Sequence, residues 1–324
     1  MSHFSSMRRN VALALAASAL TLGVAQAADP LAVGVLLPGS RSDKGWMESG
    51  YDGLTAVQKS LGDKIKVQMI ENISNADMEQ ALTTLAQKNQ LVIGIGGQTQ
   101  AALTKVAKKF PKIKFAVIGG NRDETVPNMS GYDVKQAQIA YVVGAAAAMV
   151  SKTGVISYVG GLEIPPIVNT GTEYGNGAKS VNPKIKVIVN YTGDFDDVAK
   201  SKEATLAAIA QGADIHYHIL NLGLRGMEQA AKEKGTHIIG SYTDRCGTDP
   251  LYVGYSITGV GFLTEYAIEQ AVAGTWKPGY KPFGLAMGPK ASGIAMCGAS
   301  ADMKKKLDGI SKDILDGKIK VLEG

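Results

Sequence analysis

From Leu31 onward the chain alternates short β-branched or aliphatic runs with longer amphipathic stretches, and that alternation leaves few folds open. Residues 31–37, 65–70, 91–95, 113–118, 155–159, 185–190, 214–220 and 237–240 are nearly continuous apolar runs, the mark of parallel strands covered on both faces. Between them, 44–61, 76–88, 100–110, 134–152, 170–181, 197–211 and 224–234 have helical length and one apolar face. Strands that alternate with helices need crossover connections, hence a doubly wound α/β sheet. The rhythm runs four times, passes a long helix and restarts at Gly154, which predicts two sheets rather than one. The tail is less regular: a strand at 253–258, a helix at 260–273, a strand-like run at 283–287 and a helix near 303–315. The expected division is a first lobe of 28–150 plus about 255–285, and a second of 151–254 plus about 286–324. Ligands of open parallel sheets sit beyond the carboxyl ends of the strands, so two such lobes facing each other make a cleft.

The first residues read as an address. Met1 to Asn10 holds Arg8 and Arg9 without an acidic residue, 11–25 is an uncharged Ala/Leu-rich run, and Ala25-Gln26-Ala27 closes it. Signal peptidase recognises that order, so cleavage after Ala27 and export to the periplasm are expected. A run of roughly 15 apolar residues is short of the ~20 that span a bilayer, and no Cys follows it directly to take a lipid. The formal charge of +5 is spread along the chain, which favours solvated faces over nucleic acid or membrane and suits a monomer. Cys246 and Cys297 either form one disulfide or remain two buried thiols. His216, His218 and His237 show no ligand spacing with either Cys, so no metal and no cofactor are expected.

The stretch Asp43-Lys44-Gly45-Trp46-Met47-Glu48-Ser49-Gly50-Tyr51-Asp52-Gly53-Leu54 follows the first strand and a Pro38-Gly39 turn. It opens the first helix at the ligand edge of the sheet, where unpaired amides receive polar groups. Trp46 and Tyr51 stand five apart around that opening, each available either to a ligand or to the core. Gly94-Ile95-Gly96-Gly97-Gln98-Thr99 lacks the third glycine of a nucleotide loop; it reads as a turn that brings Gln98 or Thr99 near the cleft. Asp194-Phe195-Asp196-Asp197 reads as a helix cap rather than a carboxylate pair.

With these residues in view, the chain resembles the basic membrane protein family of solute receptors, which includes the bacterial purine nucleoside receptors. The likeness begins at Asp43–Leu54 and continues at Lys114-Phe115-Ala116-Val117-Ile118. It is dense from Gly154 through Glu163-Ile164-Pro165, Asn182-Pro183-Lys184 and Asn190-Tyr191-Thr192-Gly193-Asp194-Phe195-Asp196-Asp197 to Gln211-Gly212-Ala213-Asp214. The resemblance implies a type I periplasmic-binding fold, delivery of a small molecule to the permease of an ABC importer, and a purine-type base held between two aromatics. Position by position, it places Tyr51 as the aromatic of the first lobe and Tyr217 as that of the second.

Four departures from the nucleoside receptors bear on the ligand. An Asp that ends their fourth strand is replaced by Ile118-Gly119-Gly120, followed by Asn121-Arg122-Asp123. The first Asp of their Gly-Val-Asp-x-Asp stretch is Tyr242, in Gly240-Ser241-Tyr242-Thr243-Asp244. Their Gly-Leu-Lys is Gly284-Leu285-Ala286, and their Ala-Gly-Gly-Thr-Gly turn is Leu220-Asn221-Leu222-Gly223. A buried ribose without partners would lose about 1–3 kcal/mol per unsatisfied hydroxyl. A sugar-free nucleobase or similar flat heterocycle is therefore expected, with Asp43, Asn121, Arg122, Asn221 and Asp244 as candidate readers of its edge. Arg122 and Arg245 are read either as partners of an oxo-purine or as exposed loop charges. A purine nucleoside, or presentation of ligand to a chemoreceptor, is the alternative. No Gly-x-Ser-x-Gly, His-Glu-x-x-His or phosphate-binding loop argues for an enzyme.

Overall fold

The computed structural model describes residues 29–121 and 126–322; the expected export signal and Arg122 lie outside them. Two six-stranded sheets are built from strands β1 (Leu31–Leu37), β2 (Ile65–Glu71), β3 (Leu91–Ile95), β4 (Lys114–Ile118), β5 (Met129–Val134), β6 (Val155–Gly160), β7 (Lys186–Tyr191), β8 (Ile215–Ile219), β9 (His237–Ser241), β10 (Tyr252–Thr258), β11 (Gly279–Phe283) and β12 (Ser292–Met296). The helices are α1 (Trp46–Leu61), α2 (Met78–Ala86), α3 (Gln100–Lys109), α4 (Gln136–Val150), α5 (Pro165–Val181), α6 (Val198–Ala210), α7 (Leu224–Lys234), α8 (Val260–Val272) and α9 (Ala301–Leu315). Strand order is β11-β5-β4-β3-β1-β2 in the first sheet and β12-β10-β9-β8-β6-β7 in the second. Every described pairing is parallel except β10 with β12.

Burial follows position. β3, central in its sheet, is buried at all five residues, whereas edge strand β7 keeps Lys186 and Val189 exposed. Three segments depart from the sequence expectation, one of them Ser292–Met296, which forms edge strand β12 where no strand was expected. Residues 129–134 form β5, although Ser130, Gly131 and Asp133 are poor strand formers; a place between β4 and β11 buries Ser130 and Gly131 and half-buries Asp133. The last strand of the first sheet is Gly279–Phe283, and 285–287 is a single turn of helix rather than strand.

The chain passes between lobes near residues 135, 259 and 284. Helix α4, expected to close the first lobe, packs instead on α5, α9 and strands β8, β10 and β12 of the second. Eleven of its fifteen residues are buried, on nearly every side, which requires a partner on each face. Gly144 and Gly177 let the backbones of α4 and α5 touch: a Cβ on either would run into the carbonyl of Tyr174 or Tyr141 across the contact. Gly177→Ala should therefore lower stability by about 1–3 kcal/mol through overpacking, read as a lower urea midpoint; an unchanged midpoint would show that the helices can part freely. Strand β10, expected in the first lobe from residue 255, belongs to the second sheet. Cys246 and Cys297 form a disulfide with Cα atoms 5.3 Å apart, tying the loop after β9 to the end of β12.

Candidate functional site

A cavity of about 840 Å³ lies between the lobes at the carboxyl ends of their strands, within the size range of small-molecule sites. Its first-lobe wall is the loop after β1 with Trp46, the turn Gly96-Gly97-Gln98 after β3, and Gly119 and Asn121 after β4. The second lobe contributes the loop after β6, Phe195 ahead of α6, Ile219 at the end of β8, Asn221, and Tyr242 after β9.

Local chemistry explains how the walls are held. The Asp43 carboxylate is 3% exposed and accepts backbone N–H bonds from Gly45 (2.8 Å), Met47 (3.2 Å) and Glu48 (3.0 Å), which caps α1. Burial outweighs those bonds and raises its pKa. The Trp46 indole then lies on the Gly119 backbone, where a Cβ would stand 2.8 Å from Trp46 Cζ2. Gly119 also has φ +85°, so this floor demands glycine twice over. Trp46 meets Tyr242 of the other lobe edge to face, centroids 6.3 Å apart. Tyr242 holds φ +71°, uncommon for a non-glycine residue, and burial pushes its phenol well above the usual range, so it is neutral.

The polar lining is mainly amide. Asn121 is oriented by Gln100: its N–H donates to Gln100 Oε1 and its Oδ1 accepts from Gln100 Nε2, both at 2.8 Å. Asn221 Oδ1 accepts from the Trp46 N–H at 3.2 Å, across the lobes. Asp133 accepts from the Tyr280 hydroxyl at 2.6 Å. Two buried atoms of lining residues have no partner among the described residues: the Trp46 indole N–H and the Gln136 side-chain oxygen. Among the described residues no Lys or Arg lines the cavity.

Of the residues singled out in the sequence, Trp46, Asn121, Asn221 and Tyr242 line the cavity, as does Gln98. Four others do not. Tyr51 lies about 140° around α1 from Trp46, since five positions advance about 500°; it stacks under the Arg41 guanidinium, 4.9 Å away, outside the cavity. Tyr217 is fully buried in the second lobe, stacked on Tyr174 at 5.4 Å with its hydroxyl on Ser256. It sits in mid-strand on β8, facing the helices, while the cleft is reached only at Ile219 two residues later. Asp43 is spent on the helix cap, and Asp244 is exposed, accepting the Cys246 N–H at 2.8 Å. Ala286, which the resemblance sets against a lysine of the nucleoside receptors, is exposed and does not line the cavity. Phe195, Asp133, Gln136 and Tyr280 were missed. Phe195 was legible as an aromatic beside a helix cap, and Gln136 and Asp133 only once β5 is recognised, because both stand at its carboxyl end.

Residues 31–294 match the family described as ABC transporter substrate-binding protein PnrA-like (Bmp). The chain is similar to a purine-binding protein of Brucella abortus, 31% identical over 79% of this chain and 73% of that protein. It is also similar to an ABC transporter nucleoside-binding protein of Lactococcus lactis, 27% identical over 86% and 85%. Among solved structures, a solute-binding protein of an ABC transporter system from Aeropyrum pernix superposes with a TM-score of 0.80, at 23% identity over 91% of this chain and 94% of that one. That likeness, with the two interleaved sheets, makes this the α/β two-lobed fold of type I periplasmic-binding proteins. No helix among the described residues is long and apolar enough to cross a membrane.

Proposed function

We propose that this chain, which belongs to the PnrA-like Bmp family of ABC transporter substrate-binding proteins, captures a sugar-free purine-type base or a similar flat, polar heterocycle between its lobes. The observation that carries the reading is the pairing of aromatic walls with amide side chains. Trp46, Tyr242 and Phe195 suit a planar ring, while the amides of Gln98, Asn121 and Asn221 offer donors and acceptors to its edge. A purine edge offers the complementary groups within one rigid plane. The purine-binding relative in Brucella abortus points to the same ligand class.

A nucleoside is the competing ligand, favoured by the Asp133 carboxylate at the wall and by the nucleoside-binding relative in Lactococcus lactis. Asp133 already accepts from Tyr280, and no cation among the described residues stands ready for the other side of a diol. By the resemblance, Tyr242 stands where the nucleoside receptors carry an acidic side chain, and it lines the cavity. The base reading is therefore preferred.

Closure follows from differential contact. A ligand that touches both lobes stabilises the closed arrangement over the open one, and the membrane permease reads the closed shape. The protein works in the periplasm, as a monomer and without a cofactor. Mass spectrometry of the small molecules released by denaturing freshly purified protein should return a free base; a ribosylated compound alone would overturn the sugar-free reading.

A further inference from the structure

Three consecutive residues of the first lobe, Lys44 to Trp46, each meet the second lobe. Lys44 holds φ +61°, uncommon for a non-glycine residue, and its N–H donates to Glu48 Oε2 at 2.9 Å. Its ammonium leaves the first lobe and reaches Glu228 on α7 at 2.8 and 3.1 Å. Glu228 is held for this: it accepts the Tyr252 hydroxyl at 2.8 Å and lies 4.0 Å from Arg245, whose guanidinium sits 5.4 Å over the Tyr252 ring. The Lys44 and Glu228 side chains are 28% and 18% exposed, so water and salt screen the pair less than a surface pair. Next in the chain, Gly45 lies so close to the second lobe that a Cβ there would stand 2.8 Å from Asn221 Cα. Trp46 then donates its N–H to Asn221 and supplies the aromatic wall. Neither Lys44 nor Glu228 lines the cavity.

We propose that Lys44 and Glu228 are positioning residues for ligand capture: their ion pair latches the closed lobes and seats Trp46, without touching the ligand. The inference rests on the cleft between the lobes being where ligand is captured. Because the pair spans the two lobes, it exists only when they are closed, and it raises the fraction of the binding-competent state. Breaking it lowers affinity for every ligand by one common factor and leaves selectivity among ligands unchanged.

The test reads lobe closure directly. The chain has two tryptophans, so Trp276→Phe leaves Trp46 as the sole indole, and its emission shifts to the red when opening admits water. In that background, Lys44→Met and Glu228→Gln should each red-shift the ligand-free protein, and Lys44→Arg should restore the parental spectrum. The double variant Lys44→Met/Glu228→Gln should be no redder than either single, and about 1 M salt should move the parent toward them. Adenine affinity should fall roughly three- to tenfold in each single variant and recover in Lys44→Arg. Parental emission in both single variants, or additive shifts in the double variant, would overturn the latch. If adenine fails to bind the parent while the emission shifts hold, the ligand assignment is wrong and the latch stands.

Discussion

Trp46→Ala should weaken capture of a purine base by roughly 30- to 150-fold, equivalent to about 2–3 kcal/mol, while Tyr51→Ala stays within about threefold of wild type. The contrast separates two aromatics that the sequence offers on equal terms. Trp46 forms the wall and lies on the Gly119 backbone. Its removal takes away the stacking surface. Tyr51 is one turn further and faces Arg41, which is itself bidentate to Glu71. Losing it disturbs a surface cluster whose contribution is small. Titration calorimetry on ligand-stripped protein measures both. Equal losses at the two positions would put the aromatic wall elsewhere on α1.

The second large effect is on stability in acid. His216 and His218 are fully buried on β8. His216 is bonded to Ser157 at 2.7 Å and Thr236 at 2.9 Å, and His218 Nε2 accepts the Ser241 N–H at 3.3 Å. Burial keeps both rings neutral and lowers their pKa values from 6.5 to about 4 for His216 and about 3 for His218. Below pH 6.5 the unfolded chain therefore takes up protons that the folded chain refuses. Their contribution is intact above that pH and erodes on acidification until about pH 4 and pH 3, where the folded rings also charge. Each histidine removes about 1.4 kcal/mol per pH unit, so both together should remove roughly 4 kcal/mol by pH 5. Urea unfolding at pH 7 and pH 5 reads the difference, and His218→Asn should halve the slope. A flat profile between those values would mean that both rings are hydrated in the fold.

The sequence carried most of the framework because the strands that matter are buried on both faces. Runs such as Leu31–Leu37 and Leu91–Ile95 have no polar alternation to confuse them, and their helices carry one clear apolar face. What it hid was set by neighbours in space. Residues 129–134 become a strand only because β4 and β11 flank them, and α4 changes lobe because its apolar surface goes all the way round. The site was half legible for the same reason. Trp46, Asn121, Asn221 and Tyr242 stand just past strand ends, where a parallel sheet places its ligand edge. Tyr217 has the right residue type on the right strand, but two residues early along β8 it meets Tyr174 and the core instead. Asp43 fits a ligand or a helix end equally well in sequence, and three donated N–H bonds assign it to the helix.

The central claim is the proposal that this member of the PnrA-like Bmp family holds a sugar-free base against the aromatic walls Trp46, Tyr242 and Phe195. Calorimetric titration of ligand-stripped wild-type protein with adenine and adenosine, and with hypoxanthine and inosine, addresses it most directly. The account predicts that at least one base binds tenfold or more tightly than its own nucleoside. A tenfold or greater preference for the nucleoside in both pairs would contradict it.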